Sequence, residues 1–413
     1  MRFLIMLFFC SPFLAQNMET SLEHICKENQ LMGLAVYTFS STTEKVYAVG
    51  YRNEAQKLPI TPETKFRIAS ISKAFTALGL MKLYDKKMFQ LDDAISDYLN
   101  FKVENPNFPG VPITFRMLLS HTSSIQDGAG YDAFLASTYN ETPSPSVSSV
   151  ITPTGKSFTS DMFMNYKPGT YFTYCNFNYG LIGTLIEKIS KQRFDIYMKN
   201  EILNPLGITA TFNLQDIEDI QTIGTIYRFD EKGWLPNKDD FKGIKPSPSD
   251  LNNYKVGNNA VFFAPQGGLR ASALDIGKFI KYLKNEGKTA KILSKKTIQL
   301  MKKNQWTFTG NNGDHYNGFF KQYGLGLHQT NLNTSDLIYD PDFFGNFIGH
   351  AGDAYGLISD AYFSEKQNFG FVVITNGCLI PFEKGKNSSF YKFEEEIFKL
   401  VCEDFIKKTS KVK

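Results

Sequence analysis

The 413-residue sequence lacks the features of several protein classes. Its net charge is only +4 and both signs are dispersed, which argues against a nucleic-acid-binding surface. The five histidines are scattered, no cysteine–histidine spacing fits zinc, and no glycine-rich phosphate loop precedes a helix. We therefore expect no metal, no cofactor and no nucleic-acid partner, and we expect a small molecule as the substrate.

Long apolar runs are also missing, since no stretch beyond the N-terminus is long enough for a membrane helix. The N-terminus itself has one positive charge at Arg2 and a short apolar run over residues 3–15. This pattern predicts a secretory signal peptide over residues 1–15, with cleavage after Ala15. A lipoprotein signal at Cys10 is the alternative, although bulky phenylalanines precede it. The mature protein, residues 16–413, is expected to be soluble and periplasmic or secreted.

The four cysteines beyond the N-terminus would then lie in a compartment that permits disulfides. Cys26 and Cys402 fall in helical patterns at the two ends of the chain. A Cys26–Cys402 bridge is possible if those helices pack together. Buried free thiols are the alternative that we slightly favour.

Hydrophobic patterns divide the chain into sheet-forming ends and a helical middle. Strands are predicted at 34–39, 45–51, 323–328, 347–350, 356–364 and 369–375, the first two forming a hairpin. Helical spacing is found at 72–84, 115–120, 179–189, 194–203, 273–283, 297–302 and 390–406. The Ser-, Thr- and Pro-rich stretch 137–160 is predicted to be a surface loop, and 222–262 a peripheral hairpin with loops.

This order predicts an α+β fold with an antiparallel sheet built from both chain ends. The sheet would be flanked by N- and C-terminal helices, and an all-helical insertion would form the second layer. We expect a sheet subdomain from about 16–70 and 265–413 and a helical subdomain from about 71–264. The sequence does not indicate an oligomeric state.

The first candidate for chemistry is Ser70 with Lys73. Residues three apart share a helix face, so the Ser70 hydroxyl would lie beside the Lys73 amine. A desolvated lysine with a lowered pKa can take the serine proton. The same spacing recurs at Ser389 and Ser410, near the C-terminus. Only Ser70 follows a short apolar approach and begins a strongly apolar helix, which makes it the candidate nucleophile.

The second candidate is Tyr174 with Asn176, in a loop between the turn Pro168-Gly169 and a predicted helix. A phenol near a lysine ammonium loses its proton more easily and can act as a general base. The Asn176 amide can both donate and accept, so it could hold Lys73 and a substrate amide together.

The third candidate is the segment from Gly349 to Asp353, at the end of a predicted strand. It contains the only His-x-Gly of the chain, His350 and Gly352. Glycines let a ligand approach the backbone, and the N–H of Asp353 could face that ligand.

Ser-x-x-Lys, Tyr-x-Asn and His-x-Gly in this order resemble the serine β-lactamases of the AmpC kind and their relatives, the DD-peptidases, D-amino-acid peptidases and family esterases. Connecting segments at 66–72, 113–124, 168–176, 204–208 and 267–272 are similar as well, with Ser124 where the family usually has glycine. The resemblance runs from about Leu22 to Asn376. It implies a β-lactamase/transpeptidase-like fold.

The resemblance also implies roles for individual residues. Ser70 would be acylated, while Lys73 and Tyr174 share its proton and Asn176 binds the substrate amide. The N–H groups of Ser70 and Asp353 would form an oxyanion hole, in which one donor is worth about 3–4 kcal/mol. His121, in a connecting segment, would have a capping or packing role.

Two departures from the family pattern concern the substrate. Efficient β-lactamases usually have lysine where this chain has His350, and a mostly neutral imidazole attracts a free carboxylate less. His350 could instead hydrogen-bond an acyl carbonyl or Tyr174. Asp353 places a carboxylate beside the expected oxyanion hole, so its side chain either turns outward or selects an amine-bearing substrate.

We therefore predict an exported serine hydrolase that acts through an acyl-enzyme on a small ester, amide or peptide. A true β-lactamase or DD-carboxypeptidase is the first alternative. The second is a penicillin-binding sensor that is acylated without hydrolysing the adduct. The presence of Tyr174 favours turnover.

Overall fold

The computed structural model describes residues 17–330, 335–379 and 381–410. The predicted signal peptide and Cys10 lie outside these residues. The α-helices are α1 (Met18–Glu28), α2 (Ile71–Asp85), α3 (Ser96–Leu99), α4 (Phe115–Leu119), α5 (Ala129–Asn140), α6 (Ser148–Ile151), α7 (Asn176–Ser190), α8 (Phe194–Met198), α9 (Ala273–Lys284), α10 (Lys295–Lys302), α11 (Pro341–Phe344) and α12 (Lys392–Ser410).

The strands are β1 (Gly33–Phe39), β2 (Glu44–Asn53), β3 (Leu58–Pro59), β4 (Phe66–Arg67), β5 (Ile226–Asp230), β6 (Gly233–Lys238), β7 (Arg270–Ala271), β8 (Trp306–Thr307), β9 (Gln322–Tyr323), β10 (His328–Gln329), β11 (Phe347–Ala354), β12 (Leu357–Ser364) and β13 (Gly370–Thr375). Within the described residues, nine of them form one antiparallel sheet in the order β3-β2-β1-β13-β12-β11-β10-β9-β8. Both chain ends contribute to it, which confirms the predicted fold class.

The centre of the sheet is covered on both faces. Strand β13 is buried along its whole length, and its side chains alternate between two cores. Val372 and Ile374 face the large core beneath α2 and α9, whereas Phe371 and Val373 pack against α1 and α12. This alternation explains why β13 has the continuous apolar sequence of a doubly covered strand.

Helix α2 is the central element of the helical layer. Apolar residues surround it on all sides rather than forming one stripe, as expected of a helix buried in a large core. It packs against α7 on one side and approaches strands β11 and β12 on another. The first turn of α2 is thereby placed at the boundary between the helical layer and the sheet.

Most predicted elements are present, including the hairpins β1–β2 and β5–β6. The predicted strand 323–328 is wrong in part, because a turn that contains Gly326 (φ +75°) separates β9 from β10. The predicted surface loop 137–160 is also wrong in part. Its first residues end α5, and it contains the short helix α6, which is buried through Val150 and Ile151.

Helices α1 and α12 pack together, as the alternative of a Cys26–Cys402 bridge requires. The two cysteines are nevertheless buried free thiols, and so are Cys175 and Cys378. Burial raises the pKa of the Cys26 thiol to about 11, so it stays protonated at neutral pH. The preference for free thiols is confirmed.

The boundaries of the two predicted subdomains stay a prediction. None of the helices in the described part of the chain combines the length and the apolar character needed to cross a bilayer.

Candidate active site

Ser70 lies at the N-terminal end of α2, directly after Ala69, whose φ of +47° turns the chain sharply from β4 into the helix. The first two turns of α2 are fixed to the segment 265–269. Ser72 Oγ accepts a hydrogen bond from the Leu269 N–H at 3.1 Å, and Thr76 Oγ1 donates to the Pro265 carbonyl at 2.8 Å. The Ser70 hydroxyl is therefore held on a rigid support.

Lys73 contacts three polar groups at equal distances. Its Nζ lies 2.8 Å from Ser70 Oγ, 2.8 Å from Asn176 Oδ1 and 2.8 Å from the Gln266 carbonyl oxygen. A neutral amine has two N–H donors and one lone pair. Because Asn176 Oδ1 and the carbonyl can only accept, they occupy the two donors and leave the lone pair directed at the Ser70 hydroxyl.

Burial makes this neutral form accessible. The Lys73 side chain is fully buried, and desolvation lowers its pKa from 10.5 to about 7, against a smaller opposing effect of the Asp127 carboxylate. The direction of this pKa shift is the one that a lysine base requires. Near pH 7 a substantial fraction of Lys73 can accept a proton.

Asp127 orients Asn176. The first residues of α7 have no capping side chain of their own, since Cys175 occupies the N-cap position. The Asp127 carboxylate accepts hydrogen bonds from the N–H of Asn176 (2.9 Å), the N–H of Phe177 (2.9 Å) and Asn176 Nδ2 (2.8 Å). It caps the helix and fixes the amide so that Oδ1 faces Lys73.

The Tyr174 ring lies over Lys73, with Nζ 4.9 Å from the ring centroid, and its hydroxyl interacts with Ser70. Burial raises the pKa of Tyr174 well above its ordinary value, and the Ser70 contact lowers it by less. The easily ionised phenol that we expected is therefore not what the surroundings favour. Tyr174 is placed as a neutral hydroxyl that can donate and accept.

His121 packs against the loop that carries Tyr174. Its Nδ1 accepts a hydrogen bond from the Cys175 N–H at 3.1 Å, and its ring lies 4.4 Å from that of Tyr174. Burial holds the pKa of His121 well below its ordinary value. These contacts agree with the expected packing role.

His350 is likewise neutral and engaged on both sides. Its Nδ1 donates to the Ala351 carbonyl at 2.5 Å, so its Nε2 accepts a hydrogen bond from the Tyr323 hydroxyl at 2.9 Å. Burial lowers its pKa to about 3. The ring lines the site, but neither nitrogen reaches Tyr174.

Gly352 and Asp353 bring β11 against Ser70. A Cβ on Gly352 would lie 3.0 Å from the Ser70 nitrogen and 2.8 Å from the Ile68 carbonyl oxygen, so only glycine fits there. Ala354 and Leu357 pair across a two-residue turn, and alternate residues of an antiparallel ladder direct their N–H groups to opposite sides. The Asp353 N–H therefore points away from β12, beside the Ser70 N–H.

These residues open into a pocket of about 680 Å³. Ser70, Tyr174, His350, Gly352 and Asp353 line it, while Lys73 and Asn176 lie behind Ser70. The structure thus brings all seven predicted site residues together. In the part of the chain that is described, no group of three or more His, Cys, Asp or Glu side chains is arranged to hold a metal ion.

The Beta-lactamase family model matches residues 14–383. The chain belongs to the β-lactamase family. This member of the family is 26% identical in sequence to "Protein flp" of Staphylococcus aureus (strain COL) over 366 residues, which is 87% of this chain. The chain spans only 63% of the length of that relative.

Solved structures share the fold of this β-lactamase-family chain. The octameric penicillin-binding protein homologue from Pyrococcus abyssi has a TM-score of 0.67 and 26% identity, over 94% of this chain and 77% of that one. The D-amino acid amidase from Ochrobactrum anthropi SV3 has a TM-score of 0.64 and 19% identity, over 94% and 99%. The chain therefore has the β-lactamase fold.

Sequence reasoning missed Asp127 and Tyr323, which hold Asn176 and His350 in place. Each lies far in sequence from its partner and has no motif of its own. The uncapped start of α7 was the one available indication of Asp127, since an N-cap cysteine requires an acceptor from elsewhere.

Proposed function

We propose that the protein is an exported serine hydrolase that forms an acyl-enzyme on Ser70 and acts on a small ester, amide or peptide. The contact of Lys73 Nζ with Ser70 Oγ carries the proposal, because the buried amine has one lone pair left for the serine proton. Export rests on the sequence of residues 1–15 alone.

In the proposed reaction, Lys73 takes the proton of Ser70 as Oγ attacks the acyl carbon. The negative charge that develops on the carbonyl oxygen is stabilised by the N–H groups of Ser70 and Asp353. When the bond to the leaving group breaks, the neutral Tyr174 hydroxyl donates a proton to that group and is reprotonated by Lys73. Water then attacks the ester, with the same two residues transferring its proton.

The neutral His350 supports the choice of substrate. A penicillin carries a carboxylate, and an imidazole with a pKa of about 3 offers it no charge at neutral pH. Esters, amides and peptides that lack this carboxylate do not need a positive charge at His350 for binding. We therefore expect ester or amide hydrolysis to exceed the turnover of penicillins.

A fluorophosphonate probe tests the nucleophile. We expect stoichiometric labelling of the wild type and none of Ser70→Ala, while both proteins unfold at similar temperatures. Ser410→Ala is the matched control, because it alters a second Ser-x-x-Lys position that does not line the pocket, and it should label like the wild type. Labelling of Ser70→Ala at the wild-type stoichiometry would contradict the proposal.

A substrate panel then tests turnover. Nitrocefin, short p-nitrophenyl esters and D-amino-acid amides are compared on the wild type and Ser70→Ala. We expect Ser70-dependent hydrolysis of esters or amides and weak nitrocefin turnover. Rapid nitrocefin hydrolysis would overturn the substrate ranking. An adduct that persists with every substrate would identify the penicillin-binding sensor instead.

A further inference from the structure

The pocket continues from Ser70 along a wall of aromatic rings. Tyr174 stacks on Phe320 with centroids 5.2 Å apart, Phe320 contacts Phe319 at 4.9 Å, and Phe319 contacts Phe390 at 5.1 Å. This wall leads from the nucleophile to the loop before α12. Ring faces of this kind attract cations and apolar groups.

Asp353 lines the same pocket as that wall. Side chains alternate along β11, so Asp353 points to the sheet face opposite that on which Gly352 contacts Ser70. Its carboxylate is exposed to the pocket and accepts a hydrogen bond from the Tyr391 hydroxyl. In the described part of the chain no ion pair involves Asp353. Its charge in the pocket is uncompensated.

Two further carboxyl groups lie near Asp353. Glu394, at the start of α12, lines the pocket and is 3% exposed, and it interacts with the fully buried Asp360 of β12. Burial raises the pKa of both carboxyl groups and so favours their neutral forms. These two carboxyl groups add hydrogen-bond acceptors near the pocket and no positive charge.

Two lysines also line the pocket, Lys384 and Lys386. Both are exposed to solvent, where water and salt screen their charge. Neither has a resolved effect on Asp353, whose pKa responds to burial and to Tyr391. A ligand deep in the pocket is therefore closer to uncompensated negative charge than to positive charge.

Resting on the proposed function, we propose that the substrate carries an ammonium group, which binds in this pocket between Asp353 and the aromatic wall. The Asp353 carboxylate supplies the ion pair, and the rings supply cation–π contact and exclude water. The same carboxylate repels substrates that place an anion there. Asp353 is then a specificity-determining residue of the hydrolase site.

Matched substrate pairs test this assignment. In one pair the leaving group carries the cation: acetylthiocholine is compared with its neutral isostere, S-(3,3-dimethylbutyl) thioacetate. In the other pair the acyl group carries it: D- and L-phenylalanine amide are compared with 3-phenylpropanamide. The readout is the ratio of kcat/KM within a pair, which cancels any general loss of turnover in a variant.

We expect the wild type to prefer the cationic member of at least one pair by about 10-fold or more, which corresponds to about 1.4 kcal/mol. Asp353→Asn should reduce that ratio to near unity, since it keeps the size of the side chain and removes its charge. Asp250→Asn, the same change on an exposed loop, should retain the wild-type ratio.

The outcomes separate the two proposals. Turnover that is lost in Ser70→Ala, with no preference for the cationic member of either pair, would overturn the ammonium site and leave the serine hydrolase intact. A preference that persists in Asp353→Asn would overturn the role of Asp353. Turnover of these substrates that persists in Ser70→Ala would contradict the proposed function itself.

Discussion

Replacing Asp127 by asparagine tests the arrangement that makes Lys73 a base. Asp127 lies one side-chain amide away from Lys73, because Asn176 accepts from the lysine at 2.8 Å and donates to the carboxylate at 2.8 Å. Its negative charge raises the pKa of Lys73 against the larger effect of burial. Asp127→Asn removes this charge and leaves a side chain of equal size.

The expected magnitude follows from the geometry. Two unit charges at roughly 7 Å with an effective dielectric constant of about 20 interact by roughly 2 kcal/mol. Since one pKa unit corresponds to about 1.4 kcal/mol, the loss of Asp127 should lower the pKa of Lys73 by about one unit or more. In the proposed reaction Lys73 acts in its neutral form, so the acidic limb of the profile of kcat/KM should move to lower pH by that amount.

The variant should also lose activity at its optimum. Asparagine offers one acceptor oxygen, whereas the carboxylate serves three donors of Asn176 and Phe177. A hydrogen bond to a charged group is worth about 1.5–3 kcal/mol, so a misoriented Asn176 should reduce kcat/KM by about 10- to 100-fold. The loss of a helix cap should cost about 1 kcal/mol of unfolding free energy.

The assay is hydrolysis of a p-nitrophenyl ester between pH 5 and 9, with urea unfolding of the same samples. Asp340→Asn is the matched control, because that exposed carboxylate also accepts from two N–H groups at the start of a helix, α11, and does not line the pocket. It should lose stability without moving the acidic limb. An unchanged limb and a kcat/KM within twofold of wild type in Asp127→Asn would refute the reasoning.

Three further predictions concern individual groups. Lys73→Met should reduce esterase kcat/KM by more than about 1,000-fold, because it removes the proposed base. It should not lower the melting temperature, because it replaces a buried amine by an apolar side chain of similar volume. Retained activity would exclude Lys73 as the base. Gly352→Ala should reduce kcat/KM by about 100-fold, because the new Cβ would lie 2.6 Å from Ser359 Oγ and 3.0 Å from the Ser70 nitrogen; Gly267→Ala, whose Cβ would meet nothing closer than 3.7 Å, should stay within about threefold. Asp360 has a pKa raised to about 7 by burial, so its stabilising effect is complete below the unfolded-state pKa of about 4 and is lost as pH rises through about 7. Asp360→Asn should therefore flatten the fall in urea-unfolding free energy between pH 5 and 8, and an unchanged fall would contradict the raised pKa of Asp360.

The sequence was informative where one local pattern determines the structure. Helix α2 was predictable because apolar residues recur through it at helical spacing and Ser70 begins it. The buried helix α6 was missed because four residues are too few to show any period. The prediction of one strand over 323–328 was wrong in part because Gly326 and the buried leucines on either side of it form a turn. Consecutive apolar residues suggested a strand there, although they are buried in a turn.

The site was predictable through its ordered motifs and not through its electrostatics. The positions of Ser70, Lys73 and Asn176 follow from residues that stand close together in the motifs. The neutrality of His350 was expected from its residue type, but the Tyr323 hydroxyl that occupies its Nε2 could not be found. Similarly, burial decides the direction of the Tyr174 pKa, and burial depends on rings from distant segments.

The pairing of β1 with β13 has a consequence for how the protein reaches its folded state. Leu34 and Thr375 are partners although roughly 340 residues separate them, so closing this pair carries a large entropy cost before any contact offsets it. Helices α2 and α7 can associate earlier, from a more local stretch of chain. The Lys73–Ser70–Asn176 contacts can therefore form before β11 docks and supplies the Asp353 N–H. We therefore expect Ser70 and Lys73 to come together first during folding, and the Asp353 N–H to join them only when the sheet closes.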